Sequence, residues 1–157
     1  MRRARNGRRR GNAFIEFALA AGLLLPVMMG AFQFGYTFYT YNLLQSAVSN
    51  GGRYAAYRTY RSLSGQADVQ KFCLAVQNMA VYGSPSPPAT PVPVVKGLKP
   101  SDIEVLFSLT ATQIPESVTV RVKTYTVNGV FGKYTFKNYP TITVPFLGRY
   151  APEESEP

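Results

Sequence analysis

Glu16 is the residue whose position most requires a chemical explanation. It stands at the mouth of an apolar run, and no Lys, Arg, Asp or Glu occurs between Phe17 and Gly52. Ionisable groups in membrane-spanning segments are costly and are usually paired or functional. The Glu16 carboxylate is therefore expected to have a positively charged partner. A simpler alternative is that Glu16 only starts the helix, where its charge favours the positive end of the helix dipole.

The basic residues at the start of the chain account for most of its positive charge. Six of the seventeen basic residues are arginines that precede Gly11, and without them the formal net charge falls from +9 to +3. A basic protein of this kind could otherwise be expected to bind nucleic acid. The adjacent apolar run explains the arginines better, because positive residues that flank a membrane span stay on the cytoplasmic side. We therefore predict no nucleic-acid partner.

The apolar run has the length of a membrane span. It extends over 18 residues from Phe17 to Phe34, close to the roughly 20 residues that a membrane helix needs. A cleaved secretory signal is the alternative, but the small-residue site near Met29-Gly30-Ala31 is a poor match to the cleavage pattern. The sequence thus predicts an inner-membrane protein with a cytoplasmic N-terminus and an exported, periplasmic remainder.

One long helix is expected to contain this span. Apolar residues continue at helical spacing to Tyr60, so a helix from Ala13 to Tyr60 would be about 70 Å long. The alternative is two helices broken near Gly51-Gly52, because glycine is weak in helix interiors. Within the span, Pro26 is expected to bend the helix, and Gly22 and Gly30 to allow close packing against neighbouring helices.

Several short segments carry a resemblance to a known family. They are Gly11, Ile15-Glu16-Phe17-Ala18-Leu19, Gly30, Gln33-Phe34-Gly35 and the segment from Gly52 to Arg58. A basic leader ending in glycine, followed by a glutamate and an apolar helix, resembles the processing signal of type IV prepilins. The finer pattern resembles the TadE-like minor pilins or pseudopilins of tight-adherence systems. In that family an acidic residue often stands at the position of Gln33, and a proline about one turn before Pro26.

The resemblance implies a maturation mechanism. A prepilin peptidase would cut between Gly11 and Asn12, which removes the leader 1–11. The carboxylate of Glu16, next to Phe17, would then pair with the new amine on Asn12 of a neighbouring subunit and fix the register between them. The implied function is that of a minor pilin subunit used to assemble a tight-adherence pilus for surface attachment. Its implied partners are the peptidase, other pilin subunits and the pilus assembly platform.

The rest of the chain predicts an exported α+β domain over residues 61–150, after a pilin-like helix over 12–60. A second helix is expected over residues 64–82, with Ser64 as N-cap and Gly83 as terminator. A proline-rich linker, 84–93, follows. Alternating residues predict strands at 103–109 and 118–122, and a tight turn at Asn128-Gly129 leads to strands at 130–136 and 140–144. These strands form a small antiparallel sheet packed on the helices, and an acidic tail, 151–157, is expected to be disordered.

Other functional classes find little support in the composition. The chain has no histidine and one cysteine, which excludes a His/Cys zinc site and leaves no histidine to act as a general base. Cys73 is interpreted as a small buried apolar residue. We predict no enzymatic activity, cofactor, metal site or small-molecule substrate. The competing hypothesis is a single-pass envelope protein that remains anchored by its first helix and acts through its exported domain.

Overall fold

A single helix forms nearly the first third of the molecule. The computed structural model describes the backbone of residues 7–61, 66–111 and 115–151. Within it, helix α1 comprises Gly7–Tyr57. The predicted start near Ala13 and the predicted end at Tyr60 were both wrong. The helix already includes part of the leader because arginine is a good helix former, and one glycine at position 11 costs only about 1 kcal/mol.

The Gly51-Gly52 pair does not break α1. A Cβ atom on Gly51 would lie 3.0 Å from the Cβ of Ala80, and one on Gly52 would lie 2.9 Å from Cγ2 of Ile142. Both distances are shorter than the roughly 3.5 to 4.0 Å that carbon atoms prefer. The two glycines therefore allow two different elements to lie directly against α1. The alternative of two separate helices was wrong, because packing outweighs the weak helix propensity of glycine.

Helix α2 (Gln66–Tyr82) packs against the second half of α1. Its core face includes Phe72, Val76 and Ala80, all of which are buried. Gly83 ends the helix as predicted, because it has a φ of 70° and its N–H donates to the carbonyl of Met79 at 3.0 Å. This is the left-handed cap that glycine adopts without strain. The predicted N-cap, Ser64, lies outside the described residues.

The strands in the described part of the chain form three small sheets. They are β1 (Tyr60–Arg61), β2 (Ile103–Leu109), β3 (Pro115–Val122), β4 (Thr124–Asn128), β5 (Lys133–Lys137), β6 (Thr141–Pro145) and β7 (Tyr150–Ala151). An antiparallel sheet has the order β2-β3-β6, β4 and β5 form a separate antiparallel hairpin, and β1 pairs with β7 in parallel. The α+β class is confirmed, although the strands do not join in one sheet.

The sheets separate at Lys123, between β3 and β4. The N–H of Lys123 donates to the carbonyl of Asp102 at 2.7 Å, and its carbonyl accepts from the N–H of Asn138 at 3.2 Å. These bonds connect Lys123 to two different segments. The chain therefore leaves the β2-β3-β6 sheet at Lys123, and β4 pairs with β5 instead. The predicted tight turn is longer than expected, because β4 ends at Asn128 and β5 begins at Lys133. Ala151, which we assigned to the tail, pairs with Arg61 in the β1–β7 pair.

One hydrophobic core lies between the second half of α1, α2 and the three-stranded sheet. The alternation predicted for β3 is confirmed, since Val118, Val120 and Val122 are fully buried. Burying one such side chain stabilises a fold by about 1.5 to 3 kcal/mol. The other buried members of this core are Leu44, Ala47, Val48, Ala55, Phe72, Val76, Ala80, Val81, Val95, Leu98 and Ile103. We call residues 33–151, which begin at the first buried residue after residue 12, the C-terminal domain.

Candidate functional site

The first half of α1 is not covered by any other part of the chain that the structure describes. Residues 12–32, which we call the free half of α1, include apolar side chains that are more than half exposed, such as Leu19, Leu23 and Phe32. The helix Asn12–Tyr57 contains an 18-residue window with a mean hydropathy of 1.9, and none of that window is buried. It is the one helix among the described residues that is long and apolar enough to cross a membrane. The length, composition and exposure of the free half therefore support the prediction that the protein is anchored in a membrane.

Glu16 lies near the beginning of this free half. Its Oε1 atom is 3.5 Å from the Nδ2 atom of Asn12, which is one turn earlier on the same helix face. A hydrogen bond of this length is weak. Among the side chains that the structure describes, only Asn12 reaches the carboxylate, and both residues are exposed. A single copy of the chain thus provides no cation for Glu16 within the described part.

The predicted cut lies close to this carboxylate. Gly11 and Asn12 are both within α1, and Asn12 precedes Glu16 by four residues, which corresponds to about 6 Å along the axis. Phe17, the neighbour of Glu16, is 72% exposed. The four residues of the predicted cut and register site therefore lie within two turns of α1, where Asn12, Glu16 and Phe17 are exposed. Their roles in processing and pairing stay predictions.

Gly22 and Gly30, which were predicted to pack against neighbouring helices, face open space in a single copy. A Cβ atom on Gly22 or on Gly30 would meet no other atom within 4 Å. The helix continues through Pro26, although proline removes one backbone hydrogen bond. The notches at the two glycines thus remain open in a single copy, and their contact with neighbouring helices stays a prediction.

Gln33 marks the end of the free half, and sequence reasoning did not identify its contact. It is the first buried side chain after residue 12, and it is 8% exposed. Its Oε1 atom accepts a hydrogen bond from the N–H of Val130 at 2.8 Å, and its Nε2 atom is 3.3 Å from Oγ1 of Thr37. A Cβ atom on Gly129 would overlap the Gln33 amide. The loop of the β4–β5 hairpin is thus fastened to α1 at the edge of the apolar run.

The segment from Gly52 to Arg58 has a structural role. Arg58 donates a hydrogen bond to the hydroxyl of Tyr54, and its guanidinium lies 5.8 Å from the centre of the Phe72 ring. A guanidinium within about 6 Å of an aromatic ring is attracted to the ring face. Arg58 therefore helps to join the end of α1 to α2. Gly52 acts in the same region by allowing β6 to approach.

Two groups in the C-terminal domain have shifted acidity. Burial raises the pKa of the Cys73 thiol, and the backbone hydrogen bond of Cys73 opposes that rise. Burial also raises the pKa of Tyr125, with a smaller contribution from Tyr36. The hydroxyl of Tyr125 donates to the carbonyl of Lys96 at 2.8 Å. A raised pKa makes Cys73 a poor nucleophile, because the thiolate is the reactive form.

Comparison with known proteins finds a family match over the free half of α1 and its continuation. Residues 11–53 match the family model described as TadE-like protein. The resemblance drawn from the sequence is thereby confirmed over this segment, which begins at the glycine before the predicted cut and ends just beyond Gly52. No curated protein and no solved structure matches the chain significantly. The match covers most of α1 and does not extend to α2 or the strands.

Proposed function

We propose that this chain is a minor pilin or pseudopilin, which a prepilin peptidase processes at Gly11 and which then enters a tight-adherence pilus. The observation that carries the proposal is the TadE-like match over a helix whose apolar half is not covered by the described part of a single copy. The free half has two environments available to it. Lipid would cover it in the membrane, and the helices of neighbouring subunits would cover it in the filament.

The cut would change both the anchor and the charge of this helix. The leader holds six arginines, and charged side chains of this kind resist transfer through the bilayer. Their removal makes withdrawal of the helix toward the exported side less costly. The same cut creates an ammonium group on Asn12, which is a suitable counter-charge for Glu16 of a neighbour in an apolar bundle. A paired carboxylate there is less costly than an unpaired one.

The first experiment determines the N-terminus of the protein from membranes of its native host. Intact-mass and N-terminal peptide analysis should find a form that begins at Asn12. Substitution of Gly11 by isoleucine should block the cut, because a bulky side chain before the bond hinders entry into a protease site within the membrane. Gly7→Ile is the matched control in the same leader, and it should be cut normally. A chain that retains Met1 in wild-type cells would instead support the anchored envelope protein.

The second experiment tests the register role of Glu16. Glu16→Gln keeps the size of the side chain and removes its charge, so we expect normal cleavage and reduced incorporation into filaments. Glu116→Gln is the control, because Glu116 is an exposed residue of β3 and its loss removes the same charge far from the helix end. Immunoelectron microscopy with an antibody to residues 100–150 measures incorporation. Equal labelling of the wild type and Glu16→Gln would remove the register role.

A further inference from the structure

The loop of the β4–β5 hairpin carries two exposed apolar residues that the core does not use. Val130 is 75% exposed and Phe131 is 57% exposed. By contrast Val127, one strand residue before the loop, is 3% exposed. Single exposed apolar residues are common on protein surfaces. Here, however, two of them are adjacent in the loop of a hairpin whose strand residue Val127 is buried. Together they form a small apolar surface that lipid or another protein can cover.

The hairpin runs along α1 toward the free half. Near its base, the ring of Phe136 lies 5.5 Å from the ring of Tyr41. At its loop, Val130 is hydrogen-bonded to Gln33. Tyr41 and Gln33 are eight residues apart, which corresponds to about 12 Å along the helix axis. The hairpin therefore extends down the helix and ends beside the last residues of the apolar run.

This end point coincides with the expected surface of the bilayer. The run from Phe17 to Phe34 has 18 residues and would be about 27 Å long, close to the roughly 30 Å of a hydrocarbon core. Gln33 then lies at the boundary, among Phe32, Phe34 and other exposed aromatic side chains. Aromatic residues are enriched at membrane interfaces, where apolar and polar surroundings meet. Val130 and Phe131 are held at the same level.

We infer that the hairpin loop is a second membrane contact, which inserts Val130 and Phe131 among the lipid headgroups while α1 spans the bilayer. The Gln33 side chain holds the loop against α1, and Lys133 provides a positive charge next to the loop for anionic headgroups. With two points of contact, the C-terminal domain has a fixed depth and orientation on the bilayer. This inference rests on membrane anchorage by α1 and is independent of the filament role.

The absence of tryptophan from the chain allows a direct test. The full-length precursor is prepared with Phe131→Trp and reconstituted in vesicles of phosphatidylcholine and phosphatidylglycerol. Separate preparations contain lipids brominated near the headgroup or near the end of the acyl chain. We expect strong quenching by the shallow bromines and weak quenching by the deep ones. Matching circular dichroism spectra of the variant and the wild type verify the fold.

Two further tryptophan variants make the outcomes distinct. Leu24→Trp lies within the span and should be quenched by the deep bromines. Leu147→Trp lies beside Ala56, to whose carbonyl the Leu147 N–H donates, and this position is about 35 Å further along α1 than Gln33. Leu147 is 62% exposed, so its tryptophan should not be quenched by either lipid.

Three results would overturn the inference. Quenching at Leu24→Trp with none at Phe131→Trp would show that α1 is inserted and the loop stays in water. Absence of quenching at both positions would show that α1 does not anchor the chain, which removes the premise. A blue-shifted but unquenched Phe131→Trp, with a shift that grows with protein density in the vesicle, would assign the loop to a contact with a second copy of the chain.

Discussion

Replacing Gly52 by alanine tests whether this glycine is what allows β6 to lie against α1. A Cβ atom there would stand 2.9 Å from Cγ2 of Ile142 and 3.8 Å from Cγ1 of Val144. The first distance is an overlap, because carbon atoms prefer about 3.5 to 4.0 Å, and the second is an ordinary contact. Gly35 is the matched control in the same helix, since a Cβ atom on it would meet nothing within 4 Å.

The expected magnitude follows from two opposing effects. Alanine is better than glycine in a helix interior by about 1 kcal/mol. Forcing one extra carbon into a packed site costs about 1 to 3 kcal/mol. Gly35→Ala should therefore raise the free energy of unfolding by about 1 kcal/mol, while Gly52→Ala should lower it by about 0 to 2 kcal/mol. Helix propensity contributes to both variants, so the gap between them, about 1 to 3 kcal/mol, isolates the packing effect.

Thermal unfolding in detergent provides the measurement. The chain has 11 tyrosines, so near-ultraviolet circular dichroism reports tertiary packing of the C-terminal domain. For a domain of about 100 residues, each kcal/mol shifts the midpoint by about 4 to 8 °C. The double variant Gly52→Ala with Ile142→Ala removes the overlapping methyl, and its destabilisation should be smaller than the sum of the two single effects. Equal midpoints for Gly52→Ala and Gly35→Ala would refute the reasoning.

Three other residues test separate contacts. Gln33→Leu removes the acceptor for the Val130 N–H and should lower local stability by about 0.5 to 1.5 kcal/mol, seen as faster hydrogen exchange at that amide. Val120→Ala, at a fully buried site, should cost about 2 kcal/mol in denaturant unfolding, whereas Val92→Ala, at an 82% exposed site, should stay within about 0.5 kcal/mol. Burial raises the pKa of Cys73, so iodoacetamide should label it more slowly than free cysteine at pH 8, with a rate that still rises with pH beyond the usual thiol pKa. Unchanged hydrogen exchange at Val130 would contradict the Gln33 contact. Equal losses of stability in the two valine variants would contradict the buried position of Val120, and labelling of Cys73 at the rate of free cysteine would contradict its burial.

Local patterns were sufficient to predict the class of the fold. The spacing of three and four residues predicted α2, and the alternation in β2 and β3 predicted strands, because each pattern places apolar groups on one face of its element. Gly83 could be assigned as a terminator because only a positive φ is needed there and glycine adopts it without strain. In each case, the residues of a single element are enough to predict its structure.

Contacts between distant elements could not be predicted in the same way. Gly51 and Gly52 appear in the sequence as two weak helix residues, and only Ala80 and Ile142, which lie far along the chain, give them a packing role. Gln33 appears as a polar interruption near the end of an apolar run, and its partner Val130 is 97 residues away. Likewise, the separation of β3 from β4 depends on bonds from Lys123 to Asp102 and Asn138.

The division of α1 at Gln33 limits how this protein can leave a membrane for a filament, as we propose it does. The second half of α1 is fixed by α2 and the sheet, with Leu44 and Val48 fully buried, so the C-terminal domain and the helix must move together. Movement away from the bilayer would withdraw the free half from lipid and lift the hairpin loop from the headgroups at the same time. Both apolar surfaces would then need new cover. Neighbouring subunits that cover only the free half would leave Phe131 exposed, so the proposed membrane contact also predicts a contact between subunits at the hairpin loop in the assembled filament.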